Sequence, residues 1–302
     1  MRYRAPVTDR HLPLSHVLLA LAVVLVWGSN FVVIKFALAH LPPLFFAVLR
    51  FTLAFLPAAF FIKRPAAPWS HLAAYGVLIG AGQFGLLYIA MGHDISPGLA
   101  SLVIQTQVFF TIGLSMWFAR EQIHLYQGAA LTLAAVGLGI IIANRGGDVT
   151  PFGLVLTLLA AFSWASGNVV SKRSGSVNML AYVVWSSMFS VPPLLALSLI
   201  FEGPAAIEAG LRNADAITWA AVLYQSVGNT LFGYASWAWL LSRHPAATVT
   251  PFALLVPVVG LATAALTVHE PLQSWKLIAA ALVMSGLALN IAWPRLRFAF
   301  AR

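Results

Sequence analysis

The sequence predicts an all-α integral membrane protein of ten transmembrane helices built as two inverted five-helix repeats, and three observations carry that expectation. The first is composition: of 302 residues, 61% are apolar and 8% charged, with a mean hydropathy of +0.89, against roughly 25% charged residues in a soluble domain. The second is run length, because a spanning helix takes about 20 apolar residues and the chain divides into ten runs of about that size. The third is an internal echo. The segment "WGSNFVVIK" at 27–35 is answered by "WASGNVVSK" at 164–172.

Charges, prolines and polar clusters punctuate the runs. The first, at about 15–36, follows the basic tail "MRYRAPVTDRHLPLS" and is too long for a signal-peptide core, so it reads as a retained span. The second, 43–62, lies between Pro42 and Lys63-Arg64. The third, 71–91, and the fourth, 97–118, are parted by His93, Asp94 and Pro97. The fifth, 125–143, follows Glu121 and stops before Arg145. The sixth, 151–171, opens at Pro151 and ends at Lys172-Arg173, and the seventh, 178–201, ends at Glu202. The eighth, 216–241, runs from Asp215 to Arg243; the ninth, 246–268, ends before Glu270; the tenth, 273–293, stops at Pro294. These runs are about twice the length of a spanning strand and do not alternate in polarity, so helices satisfy the backbone where a barrel would not.

Basic residues orient the chain. With both termini inside, the inner segments hold Arg2, Arg4, Arg10, Lys63, Arg64, Arg120, Lys172, Arg173, Arg243, Arg295, Arg297 and Arg302. The outer loops hold Arg145 and Arg212, with Lys35 and Lys276 at outer helix ends. That bias places both termini in the cytoplasm. The echo extends to "REQIHLYQGAALTLAAVGLGIII" and "HEPLQSWKLIAAALVMSGLALNI", which pair Glu121 with Glu270 and Gly137 with Gly286. The chain therefore divides into repeats at 1–146 and 147–302. Five spans per repeat is odd, so the second copy is inverted, a plan of alternating-access carriers that channels also use.

Several function classes fall away. The net charge of +9 comes from basic residues standing singly or in pairs between apolar runs, as orientation signals do, which argues against nucleic acid. The chain has no Cys, which removes thiol chemistry and Cys-ligated metal. No HExxH, GxSxG or CxxC occurs, so neither an enzyme nor a cofactor is expected.

Site chemistry must come from what lies inside the spans. Every acidic residue falls in a tail, a loop or a helix end, which leaves no mid-membrane carboxylate for proton coupling. Movement is then facilitated, or coupled through another group. Gln83, Gln105, Gln107, Asn168, Gln225 and Asn229 would be costly against lipid and must face inward, either lining a cavity or joining helices. Trp27 and Trp164 lie deep at repeat-matched positions beside small residues. Tyr88, Tyr224, Tyr234, Trp237 and Trp239 add aromatic surface, while Trp219, Trp275 and Trp293 read as interfacial anchors. Arg50 lies well inside the second helix and serves as a gate, a carboxylate contact or a snorkelling cation. Pro251 and Pro257 break or kink the ninth helix.

These segments, with "PPLFFAVLRF", "GLASLVIQTQVFFT" and "LLVPVVGLATAAL", resemble the drug/metabolite transporter superfamily, specifically its ten-helix EamA-type exporters, over nearly the whole chain and in the family's order. The resemblance implies a basket of helices around a central cavity. The residue chemistry above then places substrate between the halves at Trp27, Asn30, Gln83, Tyr88, Gln105, Trp164, Asn168, Tyr224, Asn229 and Tyr234, with Arg50 as gate or carboxylate contact. It implies a bacterial inner-membrane exporter of amino acids and related metabolites, similar to exporters of cysteine-pathway compounds and aromatic amino acids, working as a monomer. Carriers of phosphorylated or nucleotide-activated sugars are the alternative, with a passive channel. Phosphate calls for convergent basic residues, and only Lys35, Arg50 and Lys276 stand in or near the spans.

Overall fold

The computed structural model describes residues 12–119, 125–144, 148–175, 177–244 and 246–300. Arg2, Arg4, Arg10, Arg120, Glu121, Arg145 and Arg302, and the side chains of Arg295 and Arg297, lie outside that description. The fold is all helical: α1 Leu14–Ala37, α2 Pro43–Ala59, α3 Trp69–His93, α4 97–119, α5 Leu125–Ala143, α6 Pro151–Arg173, α7 Met179–Phe201, α8 Gly203–Asn213, α9 216–243, α10 246–267 and α11 Ser274–Phe300. Among the described residues, eight helices are long and apolar enough to cross a membrane, and α2 is a shorter apolar helix. The chain is thus a multi-span membrane protein. Large apolar side chains such as Ile200 and Leu266 stand exposed on the outer faces, as lipid contact requires.

Helix starts follow local chemistry. Thr150 caps α6 by accepting from the Gly153 N–H at 3.0 Å, with Pro151 in the first turn. Asn178 caps α7 through the Ala181 N–H at 3.1 Å, and Asp215 caps α9 through the Thr218 N–H at 2.8 Å. Two helices borrow their caps from elsewhere. Glu202, at the end of α7, accepts from the Leu44 and Phe45 N–H groups at 2.6 and 3.0 Å and so caps α2. Glu270, before α11, accepts from the Gly98 N–H at 2.9 Å at the start of α4. A carboxylate there satisfies orphan donors and complements the helix dipole.

Contacts between elements fix direction. Glu202 meets Leu44, while the Trp185 indole N–H donates to the Ile62 carbonyl at 2.9 Å, so α2 and α7 run antiparallel. A Cβ on Gly137 would lie 3.0 Å from the Ala279 carbonyl, and one on Gly286 would lie 2.7 Å from that of Ala130. Helices α5 and α11 are therefore also antiparallel, and glycine lets their backbones touch. Near the other helix ends, the α5–α6 linker pairs with the α3–α4 loop. Ile95 and Val149 form an antiparallel bridge, and the Ser96 N–H donates to the Asp148 carbonyl at 2.8 Å.

Two features depart from the sequence expectation, and a third is foreseen only at Pro251. Helix α8 occupies a stretch expected as loop, entered through Gly203 at φ +80° and Pro204 in its first turn. Helix α2 ends at Ala59 rather than 62, leaving Phe60 and Phe61 exposed. Regular winding also fails in four helices: α3 contains a π segment at Leu78–Gly85 and α9 another at Tyr224–Phe232, while α4 and α10 contain 3₁₀ turns at Ile104–Thr106 and Thr250–Leu255. Pro251 enters the last of these, the break expected beside Pro251 and Pro257.

Candidate functional site

The irregular turns surround a cavity of about 1010 Å³. Helix α1 contributes Trp27 and Asn30 to its wall; α3 contributes Gln83, Phe84 and Leu87; α4 contributes Gln105 and Gln107. From α6 come Trp164 and Asn168, and from α9 come Asn229, Tyr234 and Trp237. At one end the cavity reaches the exposed residues Asn178, Leu241 and Ser242; the other end stops at buried Phe31, Phe84 and Ile104. The exposed part of its described lining is thus gathered at one end. Lys172 and Arg173 lie in the last turn of α6 and Arg243 in that of α9.

The α3 π segment reads "LIGAGQFG", and its glycines let the backbone press on α6 and α7. A Cβ at Gly82 would collide with the Ser163 hydroxyl, which donates to the Leu78 carbonyl at 2.8 Å, and the Ser190 hydroxyl donates to the Gly76 carbonyl at 2.7 Å. These bonds satisfy carbonyls loosened by the irregular turn. With α3 held this way, Gln83 turns inward, buried, its Oε1 without a hydrogen-bond partner.

On the opposite wall the Trp27 indole N–H donates to the Asn229 carbonyl at 3.3 Å. Its ring tilts against Tyr234 and Trp237, with centroids 5.7 and 5.2 Å away. Gly233 leaves the room this indole needs. Asn168 donates to Gln107 Oε1 at 3.1 Å, joining α6 to α4 while both line the cavity. Asn168 thus lines the cavity and joins two helices at once.

Beneath the buried end lies a polar network. The Arg50 guanidinium is fully buried, donates to the Tyr88 hydroxyl at 2.8 Å and to Thr230 Oγ1 at 3.2 Å, and stacks 3.6 Å from the Phe84 ring centroid. The Tyr88 hydroxyl donates to Gln225 Oε1 at 3.2 Å, and the Gln225 amide donates to Asn30 Oδ1. Tyr88 and Arg50 thus stand one layer behind the wall. Tyr224 turns aside, bonding the Ser29 hydroxyl at 2.7 Å and the Val26 carbonyl at 3.1 Å. Of the residues expected at the site, Trp27, Asn30, Gln83, Gln105, Trp164, Asn168, Asn229 and Tyr234 come together on the wall; Tyr88, Tyr224 and Arg50 do not reach it.

Sequence reasoning overlooked Phe84 and Asn178. Phe84 was legible only as the neighbour of Gln83, and Asn178 as the helix cap it also is. It overlooked a buried ionic cluster as well: Lys276 Nζ lies 3.0 Å from Glu270 Oε1 and 2.9 Å from Asp148 Oδ2, and the Ser96 hydroxyl donates to Glu270 Oε1 at 2.6 Å. No charged residue lines the cavity among the described residues, and no group of three His, Cys, Asp or Glu there could hold a metal.

A model of the EamA-like transporter family matches the chain twice, at residues 14–143 and 151–292. Proteins called probable amino-acid metabolite efflux pumps, from Salmonella typhimurium and Escherichia coli, are each 42% identical over 285 residues, covering 92% of this chain and 95% of theirs. An uncharacterized inner membrane transporter of Escherichia coli, YedA, is 28% identical over 260 residues, covering 83% of this chain and 81% of its own. A solved structure overlays with a TM-score of 0.63 at 18% identity, over 93% of this chain and 98% of that one, a likeness of fold alone.

Proposed function

Because this chain belongs to the EamA-like transporter family, and so moves small metabolites across a membrane rather than transforming them, we propose that it exports amino acids or close derivatives by alternating access. The observation that carries the reading is the cavity: aromatic and amide walls, no charge on them, exposed residues at one end and buried ones at the other. Uncharged polar groups suit a solute whose own charges cancel, as those of a zwitterion do, and aromatic walls accept varied side chains. The relatives named for amino-acid metabolite efflux support the same substrate class.

The mechanism rests on two inverted repeats of five spans, 1–146 and 147–302. In its support, the family model matches each half separately. The pairs α2 with α7 and α5 with α11 join equivalent helices antiparallel, and the π segments of α3 and α9 fall at equivalent places, as do the 3₁₀ turns of α4 and α10. Spans 43–59 and 216–243 complete ten. With the basic residues inside, both termini are cytoplasmic in a bacterial inner membrane and the exposed end of the cavity faces inward. Each chain works alone. Substrate binds among Trp27, Asn30, Gln83, Gln105, Trp164, Asn168, Asn229 and Tyr234, and rocking of the halves transfers access to the far side.

Phosphorylated or nucleotide-activated sugars fit less well, because dianionic phosphate calls for convergent basic residues and the described wall carries none. A buried far end fits alternating access, and saturable counterflow would separate this carrier from a passive channel. The test is uptake of labelled amino acids into proteoliposomes with and without an imposed proton gradient. Saturable uptake without the gradient supports facilitated export; strict dependence on it assigns coupling to a titratable group; no uptake of any amino acid refutes the substrate class.

A further inference from the structure

Two buried cations in this protein are treated in opposite ways. Lys276 is matched by two carboxylates, Glu270 and Asp148. Arg50, equally buried, has no carboxylate within 4 Å among the described residues; its named partners are the neutral Tyr88 and Thr230 hydroxyls and the Phe84 and Phe51 rings. A guanidinium does not shed its proton in a protein, and a buried charge without a counter-charge is costly. The hydroxyl and ring partners offset part of that cost but supply no counter-charge, which an anion entering from the cavity would.

The positions of unsatisfied atoms say where that anion comes from. Among the described residues, the buried side-chain atoms without hydrogen-bond partners are Arg50 Nε, Gln83 Oε1 and Ser186 Oγ. The residues of the first two both adjoin Phe84, Gln83 along the chain and Arg50 through its guanidinium. Phe84 follows Gln83 in the chain, stacks on the Arg50 guanidinium and lines the cavity, so a single ring separates the cation from the transported solute. One orphan is a donor on a cation and the other a carbonyl acceptor.

We propose that Arg50 and Gln83 form the head-group end of the transport site, Arg50 receiving the substrate's carboxylate and Gln83 Oε1 its ammonium, with the Phe84 ring moving aside as substrate enters. The inference rests on the amino-acid reading above and deepens it: the recognised unit is the shared α-amino and α-carboxylate pair, and the side chain is left to the aromatic wall. Tyr88 and Thr230 hold the guanidinium in place, and the chain from Tyr88 through Gln225 to Asn30 couples that position to the cavity wall. A single cation matches a monoanion. It leaves a phosphate dianion half neutralised.

The experiment is counterflow in proteoliposomes of whichever labelled amino acid the wild type exchanges fastest, competed by the unlabelled acid, by its methyl ester and by its deaminated acid. In the wild type, both analogues should compete roughly tenfold or more weakly than the parent, the scale of losing a charge-assisted contact. Arg50→Gln should bring acid and ester within about twofold of each other, and Gln83→Leu should do the same for the parent and the deaminated acid. Where Arg50→Gln does not insert, Phe84→Leu decides: it should change the apparent affinity for the acid and not for the ester. A wild type that exchanges amino acids but treats acid and ester alike, an Arg50→Gln variant that keeps the full preference, or a Phe84→Leu variant that shifts acid and ester equally, overturns this inference and leaves amino-acid export standing. A wild type that exchanges no amino acid overturns both.

Discussion

Lys276 and Glu270 meet at 3.0 Å, both buried, at the point where the starts of α4 and α11 and the α5–α6 linker converge. Asp148 of the linker holds the same ammonium at 2.9 Å. One lysine thus ties three segments that are far apart in the chain.

Losing different members of this cluster should carry unequal costs. Lys276→Met strands two carboxylates, whereas Glu270→Gln leaves Lys276 paired with Asp148 and keeps an acceptor for the Gly98 N–H. Breaking a buried pair from one side costs about 3–5 kcal/mol, so Lys276→Met should unfold well below Glu270→Gln in thermal melts of detergent-purified protein. Equal melting points would mean the cluster is not a shared structural tie.

Gly82→Ala should destabilise through collision with the Ser163 hydroxyl. Overpacking of this kind costs about 1–3 kcal/mol. Adding Ser163→Ala should recover much of the loss, although it forfeits the bond to the Leu78 carbonyl. No recovery in the double variant would place the strain elsewhere in α3.

On the cavity wall, Trp164→Ala should leave expression and insertion intact while lowering initial rates of amino-acid counterflow about tenfold, since it removes a large contact from the wall. Gln105→Ala should act in the same direction. Wild-type rates in both would move the substrate site off this wall.

An acid-dependent effect is expected at Asp215, which lies outside the spans. Its carboxyl is held below the usual carboxylate range, first by the Thr218 N–H and hydroxyl, with His40 3.9 Å away adding to the effect. A depressed carboxyl stabilises the fold above its unfolded value near 4 and loses that contribution as pH falls through its folded value. Asp215→Ala should therefore flatten the slope of melting temperature against pH below about pH 4. An unchanged slope would assign acid sensitivity to other carboxylates.

Much of this arrangement was legible in the chain. Prolines and charges marked the helix starts at Pro43, Pro97 and Pro151, and the similar segments 27–35 and 164–172 singled out Trp27 and Trp164, which both reach the cavity. The sequence did not disclose depth. Tyr88 lies one turn beyond Phe84 and packs behind it, a layer that periodicity alone does not separate from the wall. Tyr224 opens a π segment, where winding departs from the regular helix and its ring turns toward α1. Glu270 and Lys276 read as ordinary helix-end charges, because their burial depends on segments that meet only in the folded molecule.

The π segments of α3 and α9 make the wall chemistry a matter of winding as well as of side-chain identity. Each wider turn stores slack that a regular helix lacks, and reeling in one residue would rotate everything beyond it by about 100° and shift it about 1.5 Å. For α3 that would carry Leu87 off the wall and bring another residue of Leu86–His93 round in its place. Turning that helix like a key would present a second lining from the same sequence.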